Sequence, residues 1–268
     1  MVLRHELLRA LYKAPRFRGR DRLIGLVSKS FVEKPTRLRD GLTMLLDPSE
    51  WVQQDILVHG ATEPGTLRLI AKLVAPGDAV IDVGAHVGHH ALVAAKAAGP
   101  AGKVIAIDPQ PYNADRVARN AQLNGMANVL TIIAAAGDKP GFIKLPIQSD
   151  RDRARLSLLE AGPGDTGALV EVPLRRIDEI IESAGLPAVK LIKIDVEGFE
   201  LEVLLGLAAT AAKCANIILE VLDTSMSDRN GKIARFLTDA GFALRTIEGA
   251  AWKPGEPLPE QNLWAARS

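Results

Sequence analysis

The feature that most constrains this chain is an alternation. Short, mostly apolar, strand-like runs lie at 79–83, 103–107, 129–135, 189–194, 217–221 and 242–247. Between most of them stand segments such as 87–98, 112–123 and 198–207, whose apolar residues recur about every 3.6 positions. Runs apolar on both faces read as strands buried on both sides, and strands joined by long helical crossovers pair in parallel. The expected architecture is α/β: a mostly parallel, doubly wound sheet with helices on both faces. One stretch breaks the pattern. Residues 141–174 carry Pro and Gly punctuation and short strand-like pieces without a convincing helical period. A strand-rich insertion is expected there, and such excursions often carry substrate contacts.

A length of 268 residues, 47% hydrophobic and 24% charged, suits one large domain with a small appendage. The single Cys214 excludes an intramolecular disulfide framework and a cysteine-cluster zinc site. No apolar run approaches the roughly 20 residues that span a bilayer, and charge interrupts the N-terminus too often for a signal peptide, so a cytoplasmic protein is expected. The net charge of +1 hides an asymmetry: the first forty residues hold eleven Lys and Arg against four acids. Leu3, Leu7, Leu8 and Leu11 fall at helical spacing among these charges, which predicts a basic amphipathic helix. Such a helix either lays its leucines on the main domain or meets a membrane or other anionic surface. After it, "TRLRDGLTMLLDP" alternates like a strand pair around Asp40-Gly41. The expected division is a basic N-terminal extension over 1–50, a helix plus a short strand pair, followed by the main domain over 51–268. Nucleic acid is disfavoured as a partner, because aromatic residues make up only 4% of the chain and the basic excess is confined to one segment.

The chemistry is concentrated in "AVIDVGAHVGHHA", residues 79–91. Open parallel sheets bind ligands outside the carboxyl ends of their strands, where strand order reverses. Asp82 stands near such an end. Gly84 permits a tight turn and close backbone approach, Gly88 lets the next helix pack near the strand, and amides at that helix start can hold a carboxylate. A dinucleotide fingerprint needs G-x-G-x-x-G, and only two glycines stand here, behind an acid. That acid repels phosphates but suits a ligand carrying an ammonium and a sulfonium, as S-adenosylmethionine does. A second acid, Asp108, ends "KVIAID", where a carboxylate can accept from two ribose hydroxyls.

Taken in order, "VIDVGAHVGHHAL", "GKVIAIDPQPYNADRVARNAQLNGMANV", "AAAGDKPG", "LRRIDEI" and "LIKIDVEGFELEVLLG" resemble the FkbM-like S-adenosylmethionine-dependent methyltransferases, over roughly residues 50–248. The resemblance implies a class I methyltransferase (Rossmann-like) sheet of seven strands, the last one antiparallel and placed at 261–268. It implies S-adenosylmethionine as cofactor, held by Asp82, Gly84, Ala85, His86, Gly88 and Asp108. Members usually carry Asn at His86 and Glu at Asp108. Glu63, in "HGATEPGT", matches the family's acidic entry position, with helix capping and cofactor contact as its alternative roles. Asp138, in "AAAGD", falls where the family contacts adenine, with a turn role before Lys139-Pro140-Gly141 as the alternative. The implied activity is O-methyl transfer to a hydroxyl of a sugar, polyketide-like metabolite or glycolipid.

"LIKIDVEGFE" places Asp195, Glu197 and Glu200 at one strand end. Acids at that density beside a buried strand are costly unless something uses them. The resemblance places Asp195 or Glu197 near the acceptor, as the catalytic pair. Glu200 reads as a first-turn helix residue favoured by the macrodipole, and Glu197 as helping to cap that helix. Glu220, in "NIILEVL", is either the far wall of the same cavity or an ordinary strand-terminal acid. Asp178 reads as a helix cap, and Asn120 and Asn124 as helix-end and turn residues. His86, His89 and His90 suit packing or the cofactor's methionine end; no metal is expected, since a third or fourth oxygen ligand is not in sight. Two rival functions stand beside the methyltransferase reading: a nicotinamide-dependent oxidoreductase on the same kind of sheet, and a catalytically silent binding protein.

Overall fold

The computed structural model describes residues 7, 10, 11, 14, 15, 19–29, 33–48, 50–146, 169–221 and 227–267. The chain divides into two compact units, with the break between Thr62 and Glu63.

In the first unit, helix α1 (Arg20–Lys29) precedes strands β1 (Lys34–Arg37) and β2 (Thr43–Leu46) and helix α2 (Trp51–His59). The two strands pair antiparallel around Asp40-Gly41. The turn closes because the Asp40 carboxylate accepts from the Leu42 amide at 2.9 Å and Gly41 takes the left-handed conformation, φ 85°. Leu42, Met44 and Leu46 fill one side of the pair. Glu50 caps α2, accepting from the amides of Val52 and Gln53. Most of the amphipathic helix expected around Leu3, Leu7, Leu8 and Leu11 lies outside the described residues; Leu11 packs on Ile24 and Val58.

The second unit opens with α3 (Pro64–Leu73), β3 (Ala79–Val83), α4 (His89–Ala98), β4 (Lys103–Asp108), α5 (Pro111–Leu123) and β5 (Val129–Ile133). Next come β6 (Ala135–Ala136), β7 (Gly141–Pro146), β8 (Leu169–Arg175), α6 (Ile177–Ser183) and β9 (Val189–Ile194). It ends with α7 (Glu200–Leu205), β10 (Cys214–Glu220), α8 (Ser227–Asp239), β11 (Ala243–Thr246) and β12 (Asn262–Ala266). Seven strands form one sheet in the order β11-β12-β10-β9-β3-β4-β5. The strands from β5 to β10 in that order are mutually parallel, and β12 runs antiparallel to both its neighbours. The order reverses between β3 and β9, because β3 pairs with its sequence successor on one side and with a strand far along the chain on the other. That junction is the topological switch point.

The two faces of this sheet differ, and the difference follows from the period of two along each strand. Ile81, Val83, Ile105, Ile107, Ile192, Ile194, Ile217 and Leu219 join Ile177, Ile181, Val203, Leu204 and Leu237 in the main core, on the side of α6, α7 and α8. The alternate register row sets Asp82 opposite Lys193, and Lys193 opposite Ile218. Towards the strand ends that same face carries Asp108 on β4 and Glu220, opposite Asn262, on β10. It is the face over which α3 and α4 pack. Polar residues therefore gather on one side of the switch point.

Residues 141–174 contribute β7 and β8, an antiparallel pair extended by β6. Ala135, Leu145, Val172 and Leu174 give this small sheet its own core, with Phe199 packed against it. Residues 147–168, within the expected insertion, lie outside the described residues.

Candidate active site

The loop between β3 and α4 is shaped by its neighbours. Gly84, φ 81°, has no room for a side chain: a Cβ there would lie 1.7 Å from the Asp195 carbonyl oxygen. The close approach expected at this glycine is thus made by the end of β9. The amides of Gly84 and Ala85 both donate to the Ile107 carbonyl, at 2.9 and 3.0 Å, so the Ala85 amide is committed to β4. Gly88, φ 89°, is the N-cap residue of α4, and a Cβ there would press on the Val117 methyls of α5 at 3.1 Å. Asn120 lies within α5 rather than at its end, and its side chain holds the Val87 carbonyl at 2.9 Å. Asn124 closes that helix, donating to the Asn120 carbonyl.

Asp108 is tied into this loop. Its Oδ2 accepts from the His86 amide at 2.9 Å, and its Oδ1 from the Gln110 amide at 2.9 Å and the Asn113 side chain at 3.1 Å. A carboxylate offers about four accepting positions, so one remains on Oδ2. Burial raises the Asp108 carboxyl to about 7, against the three hydrogen bonds that stabilise its charge. His86 takes a left-handed conformation, φ 49°, and burial lowers its imidazole to about 4, so it is neutral at physiological pH.

Asp82 is 2% exposed, and neither of its carboxylate oxygens has a hydrogen-bond partner of normal geometry. Burial raises its pKa; the charges of His90 and Lys193 pull the other way, helped by the nearby Ala91 amide. Glu63 stands at the start of α3 without capping it. The cap comes from Glu260, whose carboxylate accepts from the amides of Gly65 and Thr66 at 2.7 and 2.9 Å and from the Thr66 hydroxyl at 3.0 Å. Glu63 turns inward instead. Its Oε2 accepts from Asn262 at 2.9 Å and lies 3.3 Å from His90 Nε2 and 3.8 Å from Lys193 Nζ. Burial works to raise its carboxyl, but Lys193 and His90 prevail and hold it at about 2.

Lys193 is the residue that sequence reasoning passed over. It is 1% exposed, the largest fully buried side chain among the described residues, and donates to Asp195 Oδ2 at 2.9 Å. Its pKa is raised: burial disfavours the charge, and Asp195 and Glu63 more than restore it. A signal was available, since a lysine within the apolar run Val-Lys-Leu-Ile-Lys-Ile must find a partner if that strand is buried on both faces.

The acidic strand end divides by role. Asp195, just past the end of β9, has a side chain 27% exposed. Glu200 is buried and reaches back to the amides of Gly198 at 2.9 Å and Val196 at 3.3 Å, fixing the loop that follows β9. Glu197 lies in that loop at φ 52°, and the N-cap position of α7 is Phe199. Glu220 sits beside Asp195, with Oε2 buried and lacking a hydrogen-bond partner. Burial first, then the charges of Asp195 and Glu197, push its carboxyl up to about 9, so it is protonated at neutral pH.

Two of the residues singled out lie elsewhere. Asp138 is exposed in the bend between β6 and β7. Asp178 does not cap its own helix; it accepts from Arg176 at 2.6 Å and from the Thr210 amide and hydroxyl at 2.8 and 2.6 Å, clasping the turn after α7. Among the described residues no group of three His, Cys, Asp or Glu is arranged to hold a metal ion.

A seven-stranded sheet in this order, with one antiparallel strand and its acids gathered at the switch point, defines the class I methyltransferase fold. The chain belongs to the methyltransferase FkbM domain family, whose model matches residues 82–244, more than half of its length. It is 25% identical over 159 residues to the hexuronic acid methyltransferase AglP of Haloferax volcanii, covering 59% of this chain and 62% of that protein. It is 28% identical over 196 residues to the 31-O-demethyl-FK506 methyltransferase FkbM of Streptomyces tacrolimicus, covering 63% and 74%. The crystal structure of the FkbM methyltransferase from Methylobacillus flagellatus superposes with a TM-score of 0.50 at 17% identity, over 80% of this chain and 52% of that one.

Proposed function

We propose that this protein is an S-adenosylmethionine-dependent O-methyltransferase, with a hydroxyl of a sugar, polyketide-like metabolite or glycolipid as acceptor. The observation that carries the reading is Asp82: a buried carboxylate with no hydrogen-bond partner of normal geometry, beside the first turn of α4. A buried acid left in that state is costly unless a ligand completes it. The residues present fit the donor. Asp82 suits its ammonium, the helix start at α4 suits its carboxylate, and the remaining position on Asp108 suits a ribose hydroxyl. Bound there, S-adenosylmethionine supplies a methyl group on a sulfonium, which passes to the acceptor oxygen and leaves S-adenosylhomocysteine.

The chain's own contribution is alignment and the handling of one proton. Holding the reactants at about 3 to 3.5 Å in a dry crevice supplies several kcal/mol of the barrier. Asp195, partly exposed at the crevice, takes the hydroxyl proton as the acceptor oxygen becomes acidic, with Glu197 as the neighbouring carboxylate. The names of the two curated relatives, one specifying a hexuronic acid and the other a 31-O-demethyl compound, favour oxygen as the methylated atom.

The test is calorimetric titration with S-adenosylhomocysteine and, separately, NADH. Saturable binding of the first and none of the second is expected, with Asp82→Asn weakening the first at least tenfold. Binding of NADH alone sinks the reading. Acceptors are then screened for a mass gain of one methyl group.

A further inference from the structure

Resting on that reading, we propose that Lys193 is a positioning residue: its buried ammonium, hydrogen-bonded to Asp195, makes Asp195 the ionised member of the Asp195–Glu220 pair and aims it at the acceptor hydroxyl.

The argument begins with the cost. An ammonium sealed inside a sheet carries a desolvation penalty of several kcal/mol, so its position must be fixed by compensating charge. Lys193 meets Asp195 Oδ2 at 2.9 Å and approaches Glu63 Oε2 at 3.8 Å. Glu63 is itself held from behind by Asn262. The ammonium is thereby suspended between two partly exposed carboxylates.

The second part concerns where a proton sits. Ile194 pairs with Leu219, so the next residues along, Asp195 and Glu220, are neighbours across β9 and β10. Two adjacent carboxyls cannot both ionise cheaply, and one of them keeps a proton. Lys193 hydrogen-bonds Asp195, whereas Glu220 keeps Oε2 buried and unpartnered. The asymmetry sends the proton to Glu220 and the charge to Asp195. Without Lys193 the pair loses that bias, and a protonated Asp195 cannot accept from a hydroxyl.

Other charged groups surround the pair from every packed element. Asp82 on β3, Glu197 and Glu200 in the loop and helix after β9, and Glu63 before α3 all add negative charge. His90 on α4 faces Glu63 and Asp82, and His86 from the β3–α4 loop faces Asp195 as a neutral ring. Lys193 is the cation that touches Asp195 directly. Its effect should therefore survive in the whole field of the site.

The test is carbon-13 NMR of the side-chain carboxyls, titrated in the intact chain and assigned with Asp195→Asn and Glu220→Gln; it needs neither donor nor acceptor. At neutral pH the proton of the pair is expected on Glu220. In Lys193→Met the lower of the pair's two macroscopic steps moves up by about 1 pH unit or more, and Lys193→Gln does the same. No movement in a variant that keeps the native far-UV spectrum and a cooperative melt assigns Lys193 to packing alone and overturns the proposal. So does a protonated Asp195 beside an ionised Glu220 in the intact chain, a result that stands even if neither variant folds. Absence of S-adenosylhomocysteine binding by the intact chain removes the methyltransferase reading instead and leaves this titration unaffected.

Discussion

At position 84 a single methyl group would collide with the carbonyl oxygen of Asp195, 1.7 Å away. The glycine that looks like part of a ligand cradle is therefore also what lets β3 and β9 meet at the switch point, and it fixes where Asp195 begins. The places of Asp82 and Asp108 near strand ends at the switch point were readable from the sequence, because strand position is a local property. The number of hydroxyls Asp108 can serve was not, since it depends on donors from the following turn and helix and from the loop after β3. Lys193 was hidden for the opposite reason: its meaning lies wholly in the partners it reaches. At this scale the proton-acceptor role of Asp195 gives a clear expectation. Asp195→Asn should lower kcat by about 10²- to 10⁴-fold while donor affinity changes little, because the amide keeps the volume but cannot take the proton. Turnover and calorimetry on one preparation check it, and full turnover in both Asp195→Asn and Glu197→Gln places the base elsewhere.

Helix α3 shows how an element can borrow its ending from the far end of the chain. Pro64 at its first position is well suited to a helix start, and Glu63 before it looks like the cap. Glu260 takes the capping role across a sequence separation of 194 residues to Thr66, from a left-handed backbone conformation, φ 53°. This frees Glu63 for Lys193 and His90. Glu260→Ala should lower stability by about 1 kcal/mol through loss of the cap, read as a shift in the urea midpoint at unchanged slope. Because the cap also holds the segment entering β12 against α3, a stability unchanged within error would mean that water replaces the carboxylate without loss. The small β6–β7–β8 sheet makes the complementary point. Its strand-like pieces were legible from punctuation and alternation, but the attachment of β6 in parallel to β8 was not, because a two-residue strand has no period to read.

For the whole molecule, the buried acids set an uneven dependence on pH. Asp108 is raised from 3.8 to about 7 and Glu220 from 4.5 to about 9, so between those limits the folded chain binds protons that the unfolded chain has released. Their contribution to stability is present at low pH and is lost as pH rises through the raised values. Glu63, lowered from 4.5 to about 2, acts in the opposite sense: its contribution is full above its ordinary value and is lost as pH falls through about 2. His86, lowered from 6.5 to about 4, offsets part of the carboxyls' loss up to its ordinary value, so the free protein should be most stable near pH 5 and lose on the order of 1 kcal/mol per unit between pH 5 and 7. Denaturant titrations at several pH values measure this, and Glu220→Gln should flatten the decline; a stability that rises from pH 5 to 8 contradicts the burial of these carboxyls.

Sequence alone determined the alternation of strands and helices, the parallel sheet that such alternation requires, and the placing of acids at the strand ends around the switch point. These depend on spacing and on conformational preferences within a few residues, which a chain carries wherever it goes. Even the closing antiparallel strand was placed in the right stretch, by resemblance rather than by period. Tertiary structure alone decided what each acid does: Glu63 faces a lysine, Glu260 caps a helix, Glu200 braces a loop, and Glu220 holds a proton beside Asp195. Those roles rest on Coulomb interactions and desolvation, which depend on separations of a few ångströms between residues remote in sequence, and only the folded chain brings such residues together.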